Sequence, residues 1–218
     1  MKVYKKEIIR LIKKFRPRNG PLRDYYSWKS LFKEKFRFGS NYRIDGNLIQ
    51  EIVRELEDKS YRSFFGIPIS VLINYSSERD IEIEIEKPLD YLGINKNRGR
   101  LIVKGDAGDH LGCYMRSGEI VAEGNAGEVA GAYMGGGRIV IKGSAGKEIG
   151  YMMRGGEIYV GKFEPENLSN HVYGGRIWKG LPGNSPELVL ELGVLESSED
   201  EIVLLFRKKM TKTKEIKI

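Results

Sequence analysis

The chain has 218 residues, 31% of them charged and 40% hydrophobic, a net charge of +7 and one cysteine. That composition is globular, and it excludes a disordered chain, an intrachain disulfide and a cysteine-cluster zinc or iron–sulfur site. The charge is lopsided: residues 1–50 hold 14 Lys or Arg against 4 Asp or Glu, a balance of +10, while the remainder stands at −3.

No apolar run approaches the ~20 residues of a membrane helix. The opening MKVYKKEIIRLIKKF has neither the apolar core nor the small-residue cleavage site of a secretory leader. A cytoplasmic location is the expectation. A lone glutamine, Gln50, amid abundant Lys, Glu and Ile suggests a thermophilic source.

In chain order, Ile8, Leu11, Ile12 and Phe15 fall on one face of a helix, which PRNGP at 17–21 ends. A second, weaker helix holds Trp28, Phe32 and Phe36. A third begins near Asn47 and carries Leu48, Ile49, Ile52, Val53 and Leu56 on one broad face. The period then changes to two: Ile67, Ile69, Val71 and Ile73 alternate, and Ile81, Ile83 and Ile85 alternate with glutamates, as strands do. These patterns divide the chain into a basic helical region over 1–65, a β region over 66–180, and a C-terminal cap and tail over 181–218. In the last, ELVLELG at 187–193 and EIVLLF at 201–206 are read as strands or a short helix sealing the open end.

Residues 81–180 contain a repeat of period 19. Gly105, Gly124 and Gly143 keep that spacing, as do Gly108, Gly127 and Gly146, then Gly112, Gly131 and Gly150, then Met115, Met134 and Met153. So short and glycine-rich a unit cannot be a helical pair. Its β-branched runs LIV, IVA, IVI and IYV predict about five stacked rungs, a right-handed parallel β-helix with glycine at the corners for positive φ and close backbone approach. Leu101, Ile120, Ile139, Ile158 and Ile177 should line the interior, together with Val103, Ala122, Ile141 and Val160, the methionines, and the column Leu92, Leu111, Ala130, Ile149 and Leu168. Outside, Arg100, Glu119, Arg138, Glu157 and Arg176 alternate in sign from rung to rung, and so do Lys104, Glu123 and Lys142. Only stacking in this register accounts for that alternation.

Between the charged rails runs an outward apolar column, Ile102, Val121, Val140, Tyr159 and Trp178. Such a stripe needs a cover. The leading expectation is the helix around Ile8 to Phe15, with a second subunit or a partner as the alternative, so this column is a candidate partner-binding surface.

GDAGDHLGCYMRSGEIVAEGNAG, GAYMGGGRIVIKGSAG and GYMMRGGEIYVGK resemble the GXGXG family of right-handed β-helices. That family includes the C-terminal domain of the glutamate synthase large subunit and, more similar still, the β-helical component of formylmethanofuran dehydrogenase. In both, the β-helix is not where the reaction occurs. A tungsten- or molybdenum-pterin subunit and a metallohydrolase subunit do the chemistry in the dehydrogenase, and the domain braces glutaminase and flavin domains in the synthase. The resemblance covers about 85–180 and implies a non-catalytic scaffold among the subunits of a redox or amidotransferase complex, or one that associates with itself. The basic first 65 residues have no counterpart in it.

Little else points to chemistry. GSAGKEIG lacks the Ser or Thr of a phosphate-binding loop, and neither Ser117 nor Ser144 sits in Gly-x-Ser-x-Gly. His110 beside Asp106 and Asp109 is the one small polar cluster, read as an exposed corner, with an orphan hydrolase as the competing reading. Cys113 is expected to be a packed thiol. No catalytic residue, metal or cofactor is assigned. The N-terminal region interleaves nine aromatics (Tyr4, Phe15, Tyr25, Tyr26, Trp28, Phe32, Phe36, Phe38 and Tyr42) with its basic residues. Arg16, Arg18, Arg23, Tyr25, Trp28 and Lys29 are the candidate contacts there. Three readings stand: a helical cap packed on the coil, a dock for an acidic protein, or a nucleic-acid or polyanion surface.

Overall fold

A computed structural model describes residues 2–18, 20–36, 44–60, 63–194 and 204–207. Phe38, Tyr42, the side chain of Tyr4 and residues 201–203 of the second C-terminal run lie outside the described residues. Among these residues four α-helices come first: α1 (Lys2–Lys14), α2 (Pro21–Lys35), α3 (Gly46–Ser60) and α4 (Gly66–Tyr75). Eight strands follow: β1 (Asp80–Glu84), β2 (Arg100–Lys104), β3 (Glu119–Ala122), β4 (Arg138–Ser144), β5 (Arg154–Lys162), β6 (Gly174–Lys179), β7 (Glu187–Val194) and β8 (Leu204–Arg207).

Strands β1 to β6 pair in parallel and in sequence order, each with the next. The chain is therefore a parallel β-solenoid of about five turns with a helical N-terminus. Register follows the repeat: Arg100, Glu119, Arg138, Glu157 and Arg176 are consecutive partners, as are Leu101, Ile120, Ile139, Ile158 and Ile177. The first turn differs, because Ile81 pairs with Leu101, one residue beyond the period. The extra residue lies before Leu89, since Gly108 N–H already donates to the Leu89 carbonyl in ordinary register.

The interior columns are buried as expected, except that Leu168, in the last turn, is half-buried. The isoleucine column, Met115, Met134 and Met153 are all fully inaccessible. At about 1.5–3 kcal/mol per fully buried large apolar side chain, each turn adds its own increment of stability.

One segment departs from its pattern. Ile67, Ile69, Val71 and Ile73 alternate like a strand, yet 66–75 is helix α4. Its residues from Gly66 to Ile73 are buried whatever their parity, so period two carries no information there. Helical structure thus extends to Tyr75, and the β region begins at Asp80 rather than near 66.

Helix α4 closes the first turn of the coil. The buried Ser70 hydroxyl accepts from Gly93 N–H at 2.8 Å and donates to the Gly66 carbonyl at 2.6 Å. Helix α3 covers the free edge of β1. The Gln50 side-chain amide accepts from Glu84 N–H at 2.6 Å and donates to the Glu84 carbonyl at 2.9 Å, as a neighbouring strand would. Helices and coil consequently share one continuous apolar core. At the other end β7 pairs antiparallel with β6, and β8 with β7, so the expected C-terminal strands extend the sheet.

The corner glycines divide into two kinds. Gly112, Gly131 and Gly150 have φ of 66°, 71° and 74°, and a Cβ at Gly131 would stand 2.4 Å from Ile158 Cδ1. Gly108, Gly127 and Gly146 do not need positive φ; they are glycine for closeness alone, a Cβ at Gly127 falling 2.1 Å from Asp109 Oδ1. Of Gly105, Gly124 and Gly143, only Gly105 has positive φ, at 121°.

Candidate functional site

The outward stripe forms an apolar cluster of its own. Val121, Val140 and Tyr159 are buried, Trp178 and Leu181 pack against them, and Ile102 is half-buried. Tyr159 and Trp178 stack at 5.5 Å, their planes 2° apart. The Arg138 guanidinium lies 5.6 Å over the Tyr159 ring, so the rail covers the stripe there. Helix α1, the expected cover, is elsewhere: Ile8, Ile9 and Ile12 belong to the main core. The side chains at the centre of the stripe are thus occupied within the chain.

The rails form the anticipated ladder. Arg100–Glu119 is 2.8 Å, Arg138–Glu157 2.9 Å, Arg176–Glu157 3.3 Å and Lys142–Glu123 2.9 Å. Lys104 meets Glu82, which holds its ammonium pKa above the ordinary lysine value, and Lys142 holds the Glu123 carboxyl below its own. At the end of the coil Arg176 reaches Glu191 of β7 at 3.1 Å.

The His110 corner is built for stacking too. Asp90 Oδ1 accepts from Asp109 N–H at 3.0 Å, and Asp109 Oδ1 from Glu128 N–H at 2.8 Å. Asp106 Oδ1 accepts from Asn125 N–H at 2.7 Å, and Asn125 Oδ1 from Ser144 N–H at 2.9 Å. Each carboxylate or amide caps the backbone of the next turn, a ladder that the sequence pattern alone does not announce. His110 stacks on Tyr91 at 4.5 Å, and burial lowers its pKa. Among the described residues no group of three or more His, Cys, Asp or Glu is placed to hold a metal ion. Cys113 is buried, its thiol pushed up to about 12 by desolvation, the setting of a packed rather than a nucleophilic cysteine.

The N-terminal candidates separate. Tyr25 is in the core, its hydroxyl accepting from Asn74 Nδ2 at 2.8 Å. Lys29 sits 5.8 Å over both the Tyr26 and Tyr75 rings, and Arg23 is exposed on α2. Trp28 stacks on Phe32 at 5.2 Å, and Phe32 meets Phe36 at 4.7 Å. Among the described residues, Tyr25, Trp28, Phe32 and Phe36 of the interleaved rings therefore pack inward.

Arg16, Arg18 and Trp28 do come together. With Leu11, Phe15 and Leu31 they line a groove of about 380 Å³ between α1 and α2, with Lys14, Asp24 and Ser27 completing it. Its floor is apolar, and Leu31 is 36% exposed, an unusual exposure for leucine on a helix that buries Trp28 and Phe32. Its rim is cationic. Arg16 ties back to the carbonyls of Lys13 and Phe15 at 2.9 and 2.7 Å, while Lys14 and Arg18 are exposed. The one acid, Asp24, is buried and accepts from Arg18 N–H at 3.0 Å. The groove joins an apolar strip to positive charge and suits a segment with apolar and acidic side chains.

Lys96 is a buried cation that sequence reasoning missed. It is 2% exposed, donates to the Arg98 carbonyl at 2.6 Å, and has its pKa lowered to about 8, first by desolvation and then by Arg98. It stands nineteen residues before Met115, so it occupies the methionine position of the first turn. Extending that column by one period finds it.

Among the described residues no helix is long and apolar enough to cross a membrane. Compared with known protein families, curated proteins and solved structures, the chain matches none.

Proposed function

We propose that this protein is a non-catalytic scaffold that docks protein partners through the α1–α2 groove. The carrying observation is that groove, where an exposed leucine and a half-buried phenylalanine meet Lys14, Arg16 and Arg18. The solenoid supports the reading from the other side. Its conspicuous polar side chains serve construction: the Arg–Glu rails join turns, the Asp–Asn ladder caps backbone, and Cys113 is packed. The repeat's resemblance to GXGXG β-helices gives the expected setting, a complex of redox or amidotransferase subunits. A protein ligand suits the groove better than nucleic acid, because Trp28 already gives a face to Phe32 and base stacking needs an open one.

The test is co-purification from the source cell with wild-type chain and two variants. Lys14→Glu/Arg18→Glu reverses the rim without touching the carbonyl bonds of Arg16, and Trp178→Ala opens the stripe. Loss of companions with the first and retention with the second is the expected result. Loss with Trp178→Ala alone would place the docking surface on the stripe and refute the groove.

A further inference from the structure

We propose that the wall of the coil preceding each strand is a binding site for single-stranded nucleic acid. It shares no lining residue with the α1–α2 groove, and the two readings stand or fall separately.

Charge singles out the wall. Residues 94–99, 113–118, 132–137, 151–156 and 170–175 build it turn by turn, and none of them is Asp or Glu. Arg116 and Arg154 stand exposed on it, and their side chains make no hydrogen bond or ion pair among the described residues. The rails differ, since each of their arginines meets a glutamate. Unpaired positive charge on an acid-free surface attracts a polyanion.

Register sets these side chains in a row. Arg116 N–H donates to the Lys96 carbonyl at 2.9 Å, and Gly135, Arg154 and Tyr173 N–H donate to the carbonyls of Met115, Met134 and Met153, each at 2.8 Å. Arg116, Gly135, Arg154 and Tyr173 are therefore successive positions of one column. It faces outward, because the adjoining Met115, Met134 and Met153 are buried in the core. At ~4.8 Å per turn the two arginines are rooted about 10 Å apart. Between them lies only the backbone of Gly135, where an added Cβ would meet nothing nearer than 4.0 Å.

Aromatic rings flank the row. Among the described residues the exposed large hydrophobic side chains are Leu31 of the groove and Tyr26, Tyr133 and Tyr173. All three tyrosines belong to this wall. Tyr133 stacks on Tyr114 at 4.7 Å, and the Tyr26 hydroxyl accepts at 3.4 Å from Asn95, which stands one turn before Tyr114. Tyr173 is 52% exposed and no other ring stacks on it, so it keeps a face for a base. A single strand repeats phosphates and open bases along a line, as the wall repeats its turns. A duplex hides its bases, and an acidic protein would find glycine backbone here rather than the aliphatic strip of the groove.

The experiment is fluorescence anisotropy of a labelled oligothymidylate of about 12 nucleotides, titrated with the full chain across a salt series and compared with a duplex of the same length. Wild type is expected to prefer the single strand and to lose about sevenfold in affinity between about 0.05 and 0.2 M salt, the slope of two neutralised phosphates. Arg116→Gln/Arg154→Gln is expected to weaken binding at least about 10-fold at low salt and to flatten that slope. Tyr173→Ala should weaken it at least about fivefold with the slope unchanged, and Tyr173→Trp should retain it. Because these side chains have no polar or ring partner among the described residues, the variants should melt with the wild type. A wild type that binds no oligonucleotide at low salt overturns the proposal. So does a duplex bound as tightly as the single strand, with Tyr173→Ala without effect, the mark of a surface that reads charge alone. Loss of binding with Lys14→Glu/Arg18→Glu and retention with Arg116→Gln/Arg154→Gln overturns it as well, and would move the nucleic acid to the groove.

Discussion

Arg138 and Glu157 lie nineteen residues apart in the chain and 2.9 Å apart in space, and the same arginine covers the Tyr159 ring at 5.6 Å. One side chain thus ties two turns together and shields an apolar surface that needs a cover. Both contacts follow from the repeat, since period 19 aligns the charges and strand alternation puts Tyr159 on their face.

The two roles of Arg138 separate by substitution. Arg138→Met keeps an aliphatic stem over Tyr159 and is expected to cost less than about 1 kcal/mol, the usual size of an exposed pair. Arg138→Glu sets three carboxylates in a row with Glu119 and Glu157 and should cost more, with part of the loss recovered in salt. Thermal melts at two ionic strengths distinguish them; equal losses, insensitive to salt, would contradict the ladder.

Gly131→Ala should destabilise by more than about 2 kcal/mol, since it combines strain at positive φ with a clash on Ile158. Ile158→Val removes the clashing methyl. In the Gly131→Ala background it is expected to cost less than it does alone, leaving the φ strain behind. Denaturant titration of the four members of that cycle measures the coupling.

The buried Lys96 gives a pH signature. Its folded pKa lies near 8 against 10.5 ordinarily. Between those values the unfolded chain binds the proton that the folded chain has released, so stability from this group rises with pH across that window. The gain over the whole window is at most about 3 kcal/mol. In Lys96→Met, a return to the residue of the later turns, the rise between pH 8 and 10 should be absent. An unchanged slope would show that other groups produce it.

Cys113 should resist thiol reagents in the native protein and react only as fast as the chain opens. Labelling near pH 8 in the presence and absence of denaturant tests this; rapid native labelling would mean an accessible thiolate that burial and a pKa near 12 forbid.

The solenoid is legible in the sequence because its signals repeat. A column such as Leu101 to Ile177, or the sign-alternating arginines and glutamates, states the same contact several times, and register comes directly from the spacing. Helix α4 is not legible, because Ile67 to Ile73 are buried on every side and alternation within a wholly apolar run has no facing direction. The edge role of Gln50 and the cap role of Ser70 depend on packing between segments, which leaves no periodic trace. Half of the candidate site is visible in the sequence. Arg16, Arg18 and Trp28 stand out there, but Leu11, Lys14 and Leu31 become part of the groove only when α2 is laid beside α1. The stripe from Ile102 to Trp178 is outward and apolar as its column predicts, but part of its cover comes from its own rail and not from a helix.

The most direct measurement of the docking account is hydrogen exchange on the assembly of the chain with its partner against the free chain. The account predicts that assembly slows exchange in the backbone amides of residues 11–31, with the turns of the coil between β2 and β5 unchanged. Protection over those turns with residues 11–31 unaffected would contradict it.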